Sequence, residues 1–117
     1  MTAKIYGIRN CDTMKKAFDW LKTNGVTYDF HDYRAEGIDE AVVRDWCNRV
    51  GWEKMLNKAS TTFKELADAD KADLDEEKAI ALMTREPTVI KRPVLVLDDT
   101  VMNGFKPAVY AEIFQRG

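Results

Sequence analysis

Two side chains in this sequence can act as strong nucleophiles, the thiols of Cys11 and Cys47. A cysteine attacks as the thiolate, so its surroundings decide its reactivity. Cys11 lies in the polar turn Arg9-Asn10-Cys11-Asp12, between a strand-like segment and a helix-like one. The first N–H groups of a helix lack partners and the helix dipole is positive there, so a sulfur at that point is favoured as thiolate. Such placement lowers a cysteine pKa from about 8.5 into the range of roughly 3.5–7.5. Arg9, Lys15 and Lys16 add positive charge, Asp12 adds negative charge, and a turn cysteine of ordinary reactivity is the alternative reading. Asn10 and the amides of Asp12 and Thr13 are candidate hydrogen-bond donors to the sulfur. Cys11 is followed by Asp12, Thr13 and Met14, so the second thiol of a C-x-x-C pair is missing. Any disulfide chemistry here is then monothiol, completed by an outside thiol such as glutathione or a protein. Cys47 falls on an apolar helix face and reads as a small buried hydrophobe. His31 is the one histidine, with no paired carboxylate pattern. Two Cys and one His do not make a four-ligand zinc site, and no metal is expected.

The elements that must hold these residues follow from periodicity. Lys4 to Ile8 reads as a first strand. From Thr13, Met14, Ala17, Phe18 and Leu21 recur at helical spacing, and Asn24-Gly25 stops the helix. Val26, Tyr28 and Phe30 alternate with polar residues, a second strand reaching Tyr33 and completing a βαβ unit with parallel strands. A helical insert follows. Asp39 caps a helix whose face is Val42, Val43, Trp46, Cys47 and Val50, ended by Gly51. Thr61 or Thr62 caps a short helix bearing Phe63 and Leu66. Residues 67–73 read as an exposed loop, and Asp75 caps a helix to about Arg85, closed by Pro87. Val94-Leu95-Val96-Leu97 suits a strand covered on both faces. Asp98-Asp99 turns it into a hairpin partner, Thr100 to Asn103. Pro107 opens a last helix with Ala111 and Phe114 toward the core.

The 117 residues suffice for one domain, 1–117. Apolar residues make up 45% and charged residues 32%, with net charge −2, which disfavours a nucleic-acid groove or an anionic membrane surface. No apolar run approaches the roughly 20 residues of a membrane span, and no signal-peptide core precedes the first strand, so a cytoplasmic chain is expected. There the reducing environment disfavours a Cys11–Cys47 disulfide. A small domain without an obvious apolar surface stripe is expected to be monomeric. The order β-α-β, helical insert, β-β-α is that of an α/β thioredoxin-like fold: a mixed four-stranded sheet, with the insert between its two halves. In such folds a cis-proline before the third strand packs opposite the reactive cysteine. Pro93 occupies that position, and Arg92 beside it would project a forked cation toward Cys11, suited to an oxyanion or carboxylate.

The segments GIRNCDTMKKAFDWL, KRPVLV and NGFKPAVY resemble the arsenate reductase (ArsC) family, its YffB-like branch and, more distantly, the Spx-type regulators. The resemblance spans nearly the whole chain. It implies that Cys11 is the attacking cysteine and Arg92 one of three arginines that hold arsenate in true arsenate reductases, where glutathione and glutaredoxin complete the reduction. The other two positions depart from the pattern, with Lys58 and Lys106 in their places. Lysine is a point charge without the bidentate fork, so arsenate specificity weakens while the positive character survives. A glutathione-dependent monothiol reductase is the reading this pocket fits best, with glutathione as co-substrate and no bound cofactor. An arsenate reductase using glutathione and glutaredoxin is one alternative. A regulator that binds the RNA polymerase alpha subunit is another, although Met14 stands where the regulators often carry the second cysteine of a redox switch.

Overall fold

Residues 3–115 are described in a computed structural model of the chain. By their internal contacts they form two units, Met1–His31 with Arg92–Gly117, and Asp32–Lys91.

The first unit holds the sheet. Strands β1 (Ala3–Gly7), β2 (Tyr28–Asp32, whose last residue opens the second unit), β3 (Val94–Leu97) and β4 (Thr100–Asn103) run in the order β2-β1-β3-β4. β3 lies antiparallel to both β1 and β4, with Ile5 opposite Leu95 and Leu95 opposite Met102. With helix α1 (Asp12–Thr23) between β1 and β2 and a C-terminal helix (Pro107–Gln115) after β4, this is the mixed four-stranded, thioredoxin-like α/β arrangement expected from the sequence. Alternation along the strands puts Ala3, Ile5, Leu95 and Leu97 into one buried cluster with Met14, Ala17 and Leu21 of α1 and Tyr110 and Ile113 of the C-terminal helix. The spacing Met14, Ala17, Leu21 is the buried stripe of a 3.6-residue period.

Residues outside the helical and extended regions make the turns. Gly25 (φ 68°) follows Asn24 at the end of α1, as the sequence predicts. Asp98 (φ 52°) makes the hairpin turn between β3 and β4. The buried face of the last helix differs from expectation. Tyr110 and Ile113 are buried, whereas Ala111 and Phe114 are half-buried. Tyr110 and Ile113 keep the same three-residue spacing one position earlier, and Tyr110 packs edge-on against Phe105 and Trp20 (4.9 and 5.5 Å between centroids).

The second unit is helical. It runs through α2 (Tyr33–Glu36), α3 (Glu40–Val50), α4 (Trp52–Met55), α5 (Thr61–Lys64), α6 (Asp68–Lys71) and α7 (Glu76–Arg85), then a 3₁₀ turn at Pro87–Val89; the C-terminal helix of the first unit is α8. Helices α3 and α7 pack together. Arg44 of α3 makes two hydrogen bonds to Glu77 of α7, at 2.6 and 2.9 Å.

Three expectations need correction here. The second strand stops at Asp32, because the Asp32 carboxylate accepts the amides of Arg34 and Ala35 and so starts α2 at Tyr33. The cap of α5 is Ser60, whose hydroxyl accepts the Phe63 amide at 3.1 Å, one residue before the expected threonines. Residues 67–73 contain the turn α6, where the Lys78 ammonium donates to the carbonyls of Ala69 and Ala72 and Arg85 pairs with Asp70. Each depends on contacts that hydrophobic periodicity does not encode. Asp75 does cap α7, accepting from Lys78 N–H at 2.8 Å. Asp39 occupies the N-cap of α3 without a side-chain cap bond.

Candidate active site around Cys11

The site forms where β1 hands the chain to α1. Gly7 ends the strand, and Asn10 takes the left-handed conformation (φ 59°), which asparagine tolerates better than most residues. Cys11 follows with extended backbone as the N-cap residue of α1, and its carbonyl accepts the Lys15 amide at 2.9 Å. The sulfur is half-buried, packed against the edge of the core cluster.

Arg92 reaches the sulfur from the segment before β3. Its Nε donates to Cys11 Sγ at 3.5 Å, and the Arg92–Pro93 peptide bond is cis. Pro93 is buried, and its carbonyl accepts the Gly104 amide at 2.9 Å, which ties the Arg-Pro segment to the bend after β4.

Burial of the sulfur works against ionisation. It is outweighed by the Arg92 hydrogen bond, by the backbone amides of Met14 and Thr13, and by the Arg92 charge, so the thiol titrates below its ordinary value of 9.0. The amides act through their N–H dipoles without closing an ordinary cap hydrogen bond. These are the second and third amides of the helix, the positions an N-cap side chain faces. The sequence names the amides of Asp12 and Thr13; Thr13 is one of the two that act on the sulfur, and Met14 takes the place expected of Asp12. Treating Cys11 as the N-cap is the signal that would have identified Met14.

Met14 also explains why no second thiol is needed for packing here. It is fully buried, and a Cβ placed on Gly7 would overlap its Sδ. The thioether therefore lies directly on the end of β1, filling the position that a resolving cysteine would take.

The remaining sequence candidates are spread more widely. Asn10, Asp12 and Thr13 are exposed in the turn and first helical positions beside Cys11. Lys106 is exposed in the first unit, and its carbonyl accepts the amides of Val109 and Tyr110 at the start of α8. Lys58 belongs to the second unit. It is exposed in a turn where Asn57 Oδ1 accepts the Ala59 amide at 3.0 Å. His31 lies with its ring 5.2 Å from that of Tyr6. Cys47 is buried in α3, where burial, with Glu76 adding to it, pushes its thiol up to about 11. Among the described residues no cluster of three or more His, Cys, Asp or Glu side chains could hold a metal.

The chain is similar to known proteins over nearly its whole length. The structure of a YffB protein is 55% identical, with a TM-score of 0.91 over 94% of this chain and 96% of that one. An arsenate reductase (ArsC) related protein from Brucella melitensis is 46% identical, with a TM-score of 0.76 over 98% of this chain and 96% of that one. More distantly, the global transcriptional regulator Spx of Lactiplantibacillus plantarum is 21% identical over 86% of this chain and 77% of its own length. The ArsC family pattern matches residues 6–113, from β1 into the last helix and including the Cys11 and Arg92-Pro93 segments, and the chain belongs to the ArsC family.

Proposed function

We propose that this ArsC-family protein is a glutathione-dependent monothiol reductase of the cytoplasm, with Cys11 as its nucleophile. The observation that carries the reading is the Arg92 Nε–Cys11 Sγ contact at 3.5 Å on a sulfur at the N-terminus of a twelve-residue helix. A guanidinium and two helix amides favour the thiolate, the form that attacks a disulfide. In the step proposed, the Cys11 thiolate attacks one sulfur of a disulfide. The S–S bond breaks, a Cys11 mixed disulfide forms, and the other half leaves as a thiolate. Met14 occupies the position where a second thiol would close an internal disulfide, so an outside thiol, glutathione or a glutaredoxin, attacks the mixed disulfide and frees Cys11. Arg92 stabilises the thiolate at both ends of the cycle; Asn10, Asp12, Thr13 and Pro93, adjoining Cys11 and Arg92 in the chain, are assigned to substrate binding together with Lys106.

The test is to treat the reduced protein with glutathione disulfide across a pH series, locate adducts by mass spectrometry and use Cys11→Ser as control. The reading requires one rapid adduct on Cys11, forming below about pH 7. A slow adduct with the pH profile of an ordinary thiol, or addition mainly at Cys47, would sink it. Arsenate-dependent turnover with glutathione and glutaredoxin would shift the assignment to an arsenate reductase.

The distant likeness to Spx favours a second reading, a regulator acting through RNA polymerase. It predicts copurification with the polymerase alpha subunit and no turnover at Cys11.

A further inference from the structure

Gly104 stands on the route by which the fold delivers Arg92 to Cys11. It is buried, it follows the last residue of β4, and its backbone is left-handed (φ 77°). Glycine takes that conformation readily, whereas β-branched residues scarcely take it at all. The ladder between β3 and β4 ends with Val94 opposite Asn103. Gly104 adds a bond beyond it, its amide donating to the Pro93 carbonyl at 2.9 Å. Proline has no N–H, so this carbonyl is the one backbone group through which a hydrogen bond can hold Pro93.

The tie reaches Arg92 through little soft geometry. The peptide unit between Arg92 and Pro93 is planar, and the pyrrolidine ring fixes φ of Pro93. Only ψ of Pro93 turns freely between the held carbonyl and that of Arg92. Arg92 in turn donates from Nε to Cys11 Sγ at 3.5 Å. A hydrogen bond weakens steeply as its angle opens, so this contact depends on where the guanidinium is held. The chain after Gly104 is fixed as well. Phe105 packs edge-on against Tyr110 at 4.9 Å, and the Lys106 carbonyl accepts the Val109 and Tyr110 amides as α8 begins. A residue that cannot hold φ 77° at this point must therefore turn its amide away from Pro93.

We propose that Gly104 is a positioning residue: its left-handed backbone holds the Pro93 carbonyl, and through it holds the Arg92 guanidinium on Cys11 Sγ. This rests on the Arg92–Cys11 contact that carries the monothiol reading, and it makes a backbone bond, rather than a further side chain, the control on the thiolate.

The experiment reads the pH midpoint of Cys11 alkylation by iodoacetamide in the folded protein. It compares the wild type, Gly104→Val, Gly104→Asn, Arg92→Gln and the combination of Gly104→Val with Arg92→Gln. Gly104→Val should raise the midpoint in the direction of Arg92→Gln, and each half-unit of rise slows alkylation at pH near 6 about threefold. Gly104→Asn tolerates the left-handed region and should stay near the wild type. Added to Arg92→Gln, Gly104→Val should move the midpoint no further. Gly104→Ala should move it the same way by less, and keeps the test open where the valine variant does not fold. Unmoved midpoints in the valine and alanine variants, equal movement in Gly104→Asn, or a further shift on top of Arg92→Gln would overturn the positioning role while leaving the monothiol reading intact. A Gly104 amide that exchanges with solvent at the rate of an unfolded chain would overturn it in the wild type itself. A wild-type Cys11 with the pH profile of an ordinary thiol would overturn both.

Discussion

The two units of the chain each hold one cysteine, and they treat it in opposite ways. Cys11 stands at the open N-terminus of α1 with a guanidinium on its sulfur, and its pKa is lowered. Cys47 stands on the buried face of α3 beside Val43 and Trp46, 3% exposed, and its thiol is pushed up to about 11. The residue type is the same. The difference lies in what replaces water around the sulfur: positive dipoles and a cation in one case, hydrocarbon with a carboxylate nearby in the other. The thiolate is therefore favoured or disfavoured in this protein according to which end or face of a helix carries the sulfur.

The most severe way to break the comparison is to remove one sulfur at a time. Cys11→Ser should abolish alkylation of the native protein by iodoacetamide at pH near 7, whereas Cys47→Ser should leave it unchanged. Cys47 should become reactive only on unfolding. Peptide mapping after a short labelling pulse reads both, and native labelling at Cys47 would contradict the contrast.

Next in size is removal of the cation. Arg92→Gln takes away the hydrogen bond and the charge that lower the Cys11 pKa, so the pH profile of alkylation should move up. Below its pKa a thiol loses about tenfold in thiolate for each unit of rise. The rate at pH near 6 should fall accordingly, while the limiting rate at high pH changes little. An unmoved profile would assign the lowered pKa to the helix amides alone.

The two sulfurs should also bend the pH dependence of stability in opposite directions. The folded pKa of Cys11 is below 9.0, so its contribution is complete above 9.0 and is lost as pH falls through the folded value. The folded pKa of Cys47 is about 11, so its contribution is complete below 9.0 and is lost as pH rises from 9.0 through 11. Between pH 8 and pH 10 the Cys47 effect should cost the wild type about 1 kcal/mol of unfolding free energy that Cys47→Ala does not lose. Urea unfolding at the two pH values measures the difference, and parallel behaviour of the two proteins would show that Cys47 is more hydrated than its burial indicates.

Much of this was legible in the sequence, for identifiable reasons. The strands and the three long helices α1, α3 and α7 announce themselves by period, because each buries a continuous stripe: Met14, Ala17 and Leu21, then Val43, Trp46 and Cys47, then Ile80, Leu82 and Met83. The short turns α4 and α6 bury one residue or none, Met55 in α4, and leave no such stripe. The Cys11 turn was legible from a strand-to-helix junction, and the cis bond before β3 from the place of Pro93 in the element order. What the sequence could not supply was direction. Nothing in it shows Arg9 leaning on Phe30 while Arg92 turns to the sulfur, because those contacts join residues 21 and 81 positions apart.

The smallest effect is expected at two tyrosines, which repeat the comparison in neutral groups. Tyr33 and Tyr110 are both fully buried, one in each unit. The Tyr33 hydroxyl donates to the Ile90 carbonyl across a long 3.4 Å contact, whereas the Tyr110 hydroxyl has no hydrogen-bond partner among the described residues. Burial with no partner raises the Tyr110 pKa well above its ordinary 10.0 and leaves its desolvation uncompensated. Phenylalanine keeps the ring, and with it the edge-on contacts of Tyr110 to Trp20 and Phe105. Tyr110→Phe should therefore leave stability unchanged or raise it by about 1 kcal/mol, while Tyr33→Phe should lower it by up to about 1 kcal/mol. Denaturant unfolding of the two variants at pH 7 gives the signs directly. A loss of stability in Tyr110→Phe comparable to that in Tyr33→Phe would mean that the Tyr110 hydroxyl finds a partner in solution, an ordered water being the simplest, and that the core around α8 is less dry than its aromatic lining suggests.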